Sequence, residues 1–161
     1  MSNKIGFHSR HDTINMLHEL LDHGVTEIES SFAYISISDN EEEREEMQCL
    51  FDELGLTYLA LDFQDVDEIT DGSITDEKAM QILRFVDENA HMNFYVHCFA
   101  GISRSGAIAK FINEYFDADN PYLSRYVGHN RMVFNKLQAA AGLAIAAFYE
   151  ELERQERSDP V

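Results

Sequence analysis

Hydrophobic positions recur along the chain at two spacings, which predict alternating helices and strands. Apolar faces at i, i+3, i+4 and i+7 predict helices over residues 13–23, 41–54, 76–89, 104–116 and from about 129 into the 150s. Short apolar runs predict strands at 32–37, 57–63 and 93–97. The polar stretch 64–75 predicts a loop. Because strands alternate with helices, the sequence predicts an α/β fold: a central, mainly parallel sheet flanked by helices.

The second helix begins in an acidic run at residues 41–46. Acidic side chains suit the positive end of a helix, so the run predicts first helical turns rather than a disordered tail. Either Asp39 or Asn40 can cap this helix, and Gly55 can end it. Cys49 lies next to the apolar face, so we expect it to pack in the core or at its boundary.

Composition limits the classes of partner. The 161 residues fit one domain, expected over 1–161 with the charged end from about 155 to 161 frayed. The net charge of −18 argues against nucleic acids and anionic membranes as partners. The apolar stretch 139–148 is shorter than the roughly 20 residues a bilayer requires. The start of the chain lacks the apolar core of a signal peptide, and we expect a cytoplasmic protein.

The turn after the third predicted strand carries the candidate chemistry. It reads His97-Cys98-Phe99-Ala100-Gly101-Ile102-Ser103-Arg104-Ser105, with a cysteine ending a strand and an arginine starting a helix. A tight loop at a helix start can point its backbone N–H groups at an anion, and Gly101 permits the unusual backbone this requires. Arg104 can bind two phosphate oxygens, and the positive field favours the thiolate of Cys98. A buried structural cysteine is the alternative interpretation of Cys98.

This segment resembles the signature His-Cys-x5-Arg-Ser/Thr of the cysteine-dependent tyrosine and dual-specificity phosphatases, and in particular small prokaryotic predicted tyrosine phosphatases. The resemblance covers roughly residues 56–137. It implies that Cys98 is the nucleophile, that Ser105 assists the thiolate as leaving group and that His97 orients the loop. It also implies that the phosphate-binding residues are Phe99, Ala100, Gly101, Ile102, Ser103 and Arg104. For His97, a satisfied core histidine is the alternative.

A general acid is expected in the loop before the third helix. Its candidates are Asp62, Asp65, Asp67, Glu68 and Asp71. Leu59, Leu61 and Phe63 alternate on one face of the strand, so Asp62 points to the other face. Asp65 is the first acid past the strand and matches the position of the family's acid, 33 residues before Cys98. We predict Asp65, with Asp67 as the main alternative.

The resemblance implies a phosphomonoester hydrolase that acts through a phosphocysteine, without metal or other cofactor. Protein phosphotyrosine is the expected substrate, with phosphoserine and phosphothreonine as further candidates. One alternative is an inactive phosphate-binding module. Another is redox chemistry that pairs Cys98 with Cys49. Segment 122–131 is either a connector or a rim for a phosphopeptide, and Asn130 near the last helix is a structural candidate.

Overall fold

A four-stranded parallel sheet forms the centre of residues 3–158, the part of the chain that this computed structural model describes. Its strands are β1 (Ile5–Ser9), β2 (Phe32–Ser38), β3 (Thr57–Asp62) and β4 (Asn93–Cys98). They lie in the order β1-β4-β2-β3, so β4 and β2 are the inner strands. The α/β fold with a parallel sheet flanked by helices is therefore confirmed.

The helices include each of those predicted from apolar spacing. They are α1 (Arg10–His23), α2 (Glu27–Ser30), α3 (Glu41–Leu54), α4 (Asp76–Glu88), α5 (Arg104–Tyr115), α6 (Pro121–Arg125) and α7 (Arg131–Ser158). Polar side chains set several helix starts: Asn40 caps α3 and Thr75 caps α4. The open choice between Asp39 and Asn40 as the cap of α3 is thereby resolved in favour of Asn40.

Two hydrophobic clusters cover the faces of the sheet. The larger joins inner-strand residues such as Val96 to α4, α5 and α7, with Ile108 and Leu137 fully buried. The smaller joins Tyr34 and Phe51 with residues of α1 and α3. Since α5 runs through the larger cluster, it is buried from Arg104 to Asn113 on every side, and not just on the predicted apolar face. The phosphate-loop helix is thus among the best-packed elements of the fold.

Sequence patterns missed β1, α2 and α6. β1 forms an edge of the sheet, and each of its five residues is partly exposed. Its sequence IGFHS does not alternate cleanly between apolar and polar residues, so the pattern did not predict a strand there. Its pairing places Ser9 beside Cys98 at the carboxyl end of β4. The start of α1, which directly follows β1, therefore lies next to the candidate loop.

The prediction that Cys49 packs in the core or at its boundary is wrong, because its side chain is exposed. Met47 and Phe51 are one turn apart and fully buried. Cys49 is two residues from each, about 200° around the helix, so it faces solvent. It lies beside Tyr58 near the amino end of β3, whereas Cys98 ends its strand at the carboxyl edge. This placement gives no support to a Cys49–Cys98 redox pair.

The last helix contains an apolar segment that is longer than the stretch 139–148. By length and composition alone, Arg131–Arg157 could cross a membrane. Core helices pass the same test, and Val133, Leu137 and Ala140 of α7 are buried in the larger cluster. Side chains from 145 to 157 are exposed, and helical backbone continues to Ser158. The fraying expected from about 155 stays a prediction, since residues 159–161 lie outside the described part.

Candidate active site

The candidate site lies where the carboxyl ends of the strands meet. In open α/β sheets this edge is the usual place for ligands. Cys98 is the last residue of β4, an inner strand, and its side chain is 2% exposed. The loop 99–103 leads from it into α5, as the spacing of the motif predicted. The nucleophile candidate therefore lies at the base of a loop that opens outward.

Neighbouring elements fix the backbone of this loop. Gly101 has φ +72°, and a Cβ there would collide with the backbone of His8 and Ser9. The carbonyl oxygen of Phe99 accepts from the Arg10 N–H at 3.0 Å. That of Ile102 accepts from the Tyr126 hydroxyl at 2.8 Å. With these carbonyls bonded to outer neighbours, the backbone is oriented as an inward-facing set of N–H donors requires.

The start of α5 brings a hydroxyl to the thiol. Ser105, fully buried, has its Oγ 3.1 Å from the Sγ of Cys98. Ser103 occupies the N-cap position but makes no side-chain cap bond. The first N–H groups of α5 are therefore left without a side-chain acceptor, which is the arrangement that favours an anion at a helix start.

Arg104 lies under the loop and is 3% exposed. Its Nη1 donates to the carbonyl oxygen of Phe63 at 2.6 Å, and its Nη2 pairs with a carboxylate oxygen of Asp39 at 2.7 Å. Its Nε is buried and has no hydrogen-bond partner within residues 3–158. A buried guanidinium N–H that lacks a partner is costly, so it marks a place for an oxygen ligand.

His97 supports the loop from below. Its Nε2 lies 2.6 Å from the Oγ of Ser36 on β2, and its Nδ1 lies 3.4 Å from the carbonyl oxygen of Cys98. The pKa of His97 is lowered to about 4, chiefly because the ring is buried; the hydrogen bond to Cys98 raises it, and the charges of Arg10, His8 and Arg104 contribute to lowering it. The ring is thus neutral at pH 7. Because a carbonyl can only accept, Nδ1 carries the proton and Nε2 accepts from Ser36.

Asp65 is the acidic side chain that contacts the loop. Its Oδ1 accepts from the Ser103 hydroxyl at 2.8 Å and from the Asn130 amide at 2.8 Å. Asn130 also donates to the Val66 carbonyl oxygen at 2.9 Å, and its own N–H donates to the Ser103 carbonyl oxygen at 3.0 Å. Asn130 therefore joins the acid segment to the phosphate loop at the start of α7.

Within residues 3–158, no hydrogen bond joins Asp62, Asp67, Glu68 or Asp71 to the loop 99–103, unlike Asp65. Asp62 points away from the loop and pairs with Arg44 at 2.7 Å and with Lys78 at 3.7 Å. Asp67 and Glu68 line an open cavity of about 570 Å³ beside Asp65. The same cavity is lined by Val66, Thr70, Ser103, His129, Asn130 and Arg131. It offers space for a group attached to a phosphate in the loop.

Two parts of this arrangement were not predicted. Asp39 and the Phe63 carbonyl hold Arg104, and Ser36 holds His97. These partners come from the ends of neighbouring strands, and no local sequence pattern marks them. Within residues 3–158, no group of three or more His, Cys, Asp or Glu side chains is placed to hold a metal ion.

No protein-family model matches the sequence, and no curated protein matches it. Several solved structures do match this chain. A structure of PTPMT1 has a TM-score of 0.50 at 17% identity and covers 92% of this chain and 93% of its own. Human tyrosine phosphatase-like serine/threonine/tyrosine-interacting protein has a TM-score of 0.48 at 22% identity, with 81% and 85% covered. The structure of Tk-PTP in the active form has a TM-score of 0.44 at 18% identity and covers 76% of this chain and 72% of its own. The chain thus has the fold of the cysteine-dependent tyrosine and dual-specificity phosphatases, as its His-Cys-x5-Arg-Ser motif implied.

Proposed function

We propose that this protein is a phosphomonoester hydrolase that acts through a phosphocysteine on protein phosphotyrosine. One observation carries the proposal: the hydroxyl of Ser103, in the loop that begins at Cys98, donates to the carboxylate of Asp65. Phosphate-ester cleavage needs a nucleophile and an acid at one anion-binding loop, and this contact brings an acid to the loop that follows Cys98.

In the first step, the Cys98 thiolate attacks the phosphorus and the bond to the ester oxygen breaks. Asp65, in its carboxylic acid form, gives its proton to the leaving oxygen. The loop N–H groups and the Nε edge of Arg104 bind the three remaining phosphate oxygens, where charge is concentrated in the transition state. The proposed reaction uses neither a metal ion nor another cofactor.

In the second step, water attacks the phosphocysteine and the sulfur–phosphorus bond breaks. The Asp65 carboxylate accepts a proton from that water, which returns it to the acid form. The leaving sulfur becomes a thiolate again, and the Ser105 hydroxyl at 3.1 Å can donate to it. Inorganic phosphate then leaves, and the protein is ready for another turnover.

The surroundings of the loop favour an aromatic leaving group. Phe99 and Ile102 of the loop are 57% and 53% exposed, so apolar side chains flank its mouth. An aromatic ring of phosphotyrosine can pack on them, whereas the short arm of phosphoserine brings less apolar surface. Phosphoserine and phosphothreonine proteins remain further candidate substrates, because the adjoining cavity is open and not a deep slot.

Hydrolysis of p-nitrophenyl phosphate by the reduced protein in EDTA tests the activity. We expect turnover by the wild type, none by Cys98→Ser, and a loss of about 100-fold in kcat by Asp65→Ala. Asp67→Ala is the matched control, since Asp67 is two residues away on the cavity wall, and it should stay close to wild type. A larger loss in Asp67→Ala would move the acid to that residue.

No turnover by the clean, reduced wild type would refute the proposed activity for this general substrate. Capture of phosphopeptides by that same protein would then support a phosphate-binding module without catalysis. With turnover established, a panel of phosphotyrosine, phosphoserine and phosphothreonine peptides tests the substrate class. Faster hydrolysis of the phosphoserine peptides than of their phosphotyrosine counterparts would contradict the preference proposed here.

A further inference from the structure

A tyrosine in the segment between α6 and α7 contacts the phosphate loop. Tyr126 directly follows α6, and its hydroxyl donates to the carbonyl oxygen of Ile102 at 2.8 Å. The pKa of Tyr126 is raised, chiefly because the side chain is partly buried, so the hydroxyl keeps its proton at neutral pH. A side chain outside the Cys98 motif therefore holds one backbone carbonyl of the loop.

The Tyr126 ring lies directly against the start of α5. A Cβ added at Gly106 would lie 2.5 Å from a carbon of this ring, so the contact is possible only because residue 106 is a glycine. Glycine is a poor helix former, and here it makes room for the ring. The Phe7 ring of β1 is a further neighbour, with the two ring centroids 4.9 Å apart. The position of the ring is thus set by α5 and β1 together.

The backbone of Tyr126 is fixed as well. Lys110, a buried residue of α5, donates to three carbonyl oxygens at the end of α6, and that of Tyr126 is 3.1 Å away. Asn113 lies on the same helix, and its side-chain oxygen accepts from the Asn120 N–H at 3.0 Å. Both ends of α6 are therefore bonded to α5, the helix that follows the loop. The hydroxyl of Tyr126 is held in place independently of its bond to Ile102.

The bond from Tyr126 sets the direction of one N–H group of the loop. In a trans peptide unit, the C=O of one residue and the N–H of the next point in opposite directions. Because the Ile102 carbonyl oxygen is turned outward to Tyr126, the N–H of Ser103 is turned inward. Within residues 3–158, this N–H donates to no protein acceptor. It is therefore available to an oxygen of a bound phosphate.

The Phe99 and Ile102 carbonyls of the loop have partners of different kinds. The Phe99 oxygen accepts from the backbone N–H of Arg10, at the start of α1. The Ile102 oxygen accepts from the side-chain hydroxyl of Tyr126. Loss of that hydroxyl leaves the peptide free to turn its oxygen inward, where it would repel a phosphate and withdraw the Ser103 N–H. The hydroxyl thus selects the orientation of this peptide that binds an anion.

We propose that Tyr126 is a positioning residue for the phosphatase reaction: its hydroxyl keeps the Ile102–Ser103 peptide turned so that the Ser103 N–H faces the phosphate. Tyr126 acts through this peptide and need not touch the substrate. The role rests on the proposed function, because it concerns the same loop. It makes the segment 122–131 a connector that braces the loop from outside.

Removal of a single oxygen atom tests the role. Tyr126→Phe keeps the ring on Gly106 but cannot donate to Ile102. We expect kcat/KM for p-nitrophenyl phosphate to fall about ten-fold, because one N–H donor to the transition state is no longer held in place. A kcat/KM equal to that of the wild type would overturn the proposal.

The matched control is Tyr122→Phe, which removes the same atom from a neighbouring tyrosine. The Tyr122 ring centroid is 6.4 Å from that of Phe7 and 6.0 Å from that of Tyr126. Within residues 3–158, no hydrogen bond joins its hydroxyl to the loop 99–103, unlike that of Tyr126. Its kcat/KM should therefore stay within about two-fold of wild type. An equal loss in the two variants would overturn the positioning role.

The amide signal of Ser103 reports the role directly. In isotope-labelled Cys98→Ser protein, saturating inorganic phosphate should move the Ser103 amide proton downfield in NMR spectra, because the N–H donates to the anion. Tyr126→Phe should reduce that shift by about half or more, since the inward orientation is then less populated. The Arg104 amide, in the first turn of α5, should keep its shift. An undiminished Ser103 shift in Tyr126→Phe would overturn the role, and so would an equal reduction at Arg104.

Binding of inorganic phosphate separates failure of this proposal from failure of the proposed function. In Cys98→Ser protein, calorimetry measures the loop as a binding site without turnover. We expect added Tyr126→Phe to weaken phosphate binding about five-fold and added Tyr122→Phe to leave it within about two-fold. If the wild type has no turnover but this difference persists, the proposed function is wrong and the positioning role of Tyr126 holds. Turnover with equal phosphate affinities overturns the positioning role alone.

Discussion

Acidification should destabilise this protein through one buried histidine. His97 is fully buried at the end of β4, and its folded-state pKa of about 4 lies well below the ordinary value of 6.5. Burial is the main cause, because a charged imidazole loses its hydration there. Unfolding restores the ordinary pKa, so the unfolded chain binds a proton at a higher pH than the native one. The contribution of His97 to stability is therefore complete above about pH 6.5 and is lost as pH falls toward 4.

The size of the effect follows from the two pKa values. A difference of this size corresponds to about 3 kcal/mol over the whole range. Between pH 7 and pH 5 the expected loss is about 2 kcal/mol, since the unfolded histidine is nearly fully protonated at pH 5 and the native one is still mostly neutral. For a domain with a stability of about 5–15 kcal/mol, that loss is readily measured.

Urea unfolding at pH 7, 6 and 5 measures the loss. The wild type should lose about 2 kcal/mol more between pH 7 and 5 than His97→Gln, which cannot take up this proton. His18→Gln, which replaces an exposed histidine on α1, should keep the wild-type slope. Equal slopes in wild type and His97→Gln would refute the assignment. If His97→Gln does not fold, an NMR titration of the wild-type imidazole replaces it, and a midpoint near 6.5 would refute it equally.

Further predictions concern residues that hold the loop in place. Gly101→Ala should abolish turnover and lower Tm, because its Cβ meets backbone, whereas Gly142→Ala on open helix surface should raise stability by about 1 kcal/mol in thermal melts. Lys110→Met should cost about 3 kcal/mol in urea unfolding, since the ammonium group binds three carbonyl oxygens around α6. Asn130→Ala should lower kcat about ten-fold with little change in KM, because it releases the carboxylate of Asp65; an unchanged kcat would contradict that role.

The parts of the site that the sequence predicted are those fixed locally. Cys98 and Arg104 are six positions apart, and a strand, a tight turn and a helix start between them leave little choice of geometry. The alternation of Leu59, Leu61 and Phe63 argues against Asp62, and the position of the family's acid favours Asp65, whose side chain contacts the loop. Local spacing therefore predicts Cys98 and Arg104 at the two ends of one loop, and the resemblance together with the strand register predicts an acid from the segment after β3 beside it.

The partners that tune these groups come from distant segments. Ser36 and His97 are 61 positions apart, and Asp39 and Arg104 are 65 apart. Their contacts depend on β2 lying beside β4, which is a property of strand order. No hydrophobic pattern states which strands are neighbours, so these contacts could not be predicted. The prediction for Cys49 was wrong for a simpler reason. On a helix, a shift of one position turns a residue at the edge of the apolar face toward solvent.

Charge at the site edge explains how a chain of net charge −18 can bind a phosphate. Three arginines there are paired with carboxylates, Arg10 with Glu46, Arg44 with Asp62 and Arg104 with Asp39. A further arginine, Arg131, lines the cavity beside Asp65. At the loop itself, where Arg104 is paired with Asp39, a phosphate meets directed N–H donors rather than a broad positive field. Directed donors act over hydrogen-bond distances, whereas a net field acts over a Debye length of about 8 Å at physiological ionic strength. Hence a single phosphate group on a weakly charged leaving group suits this edge, and acidic residues next to a phosphotyrosine should slow its hydrolysis.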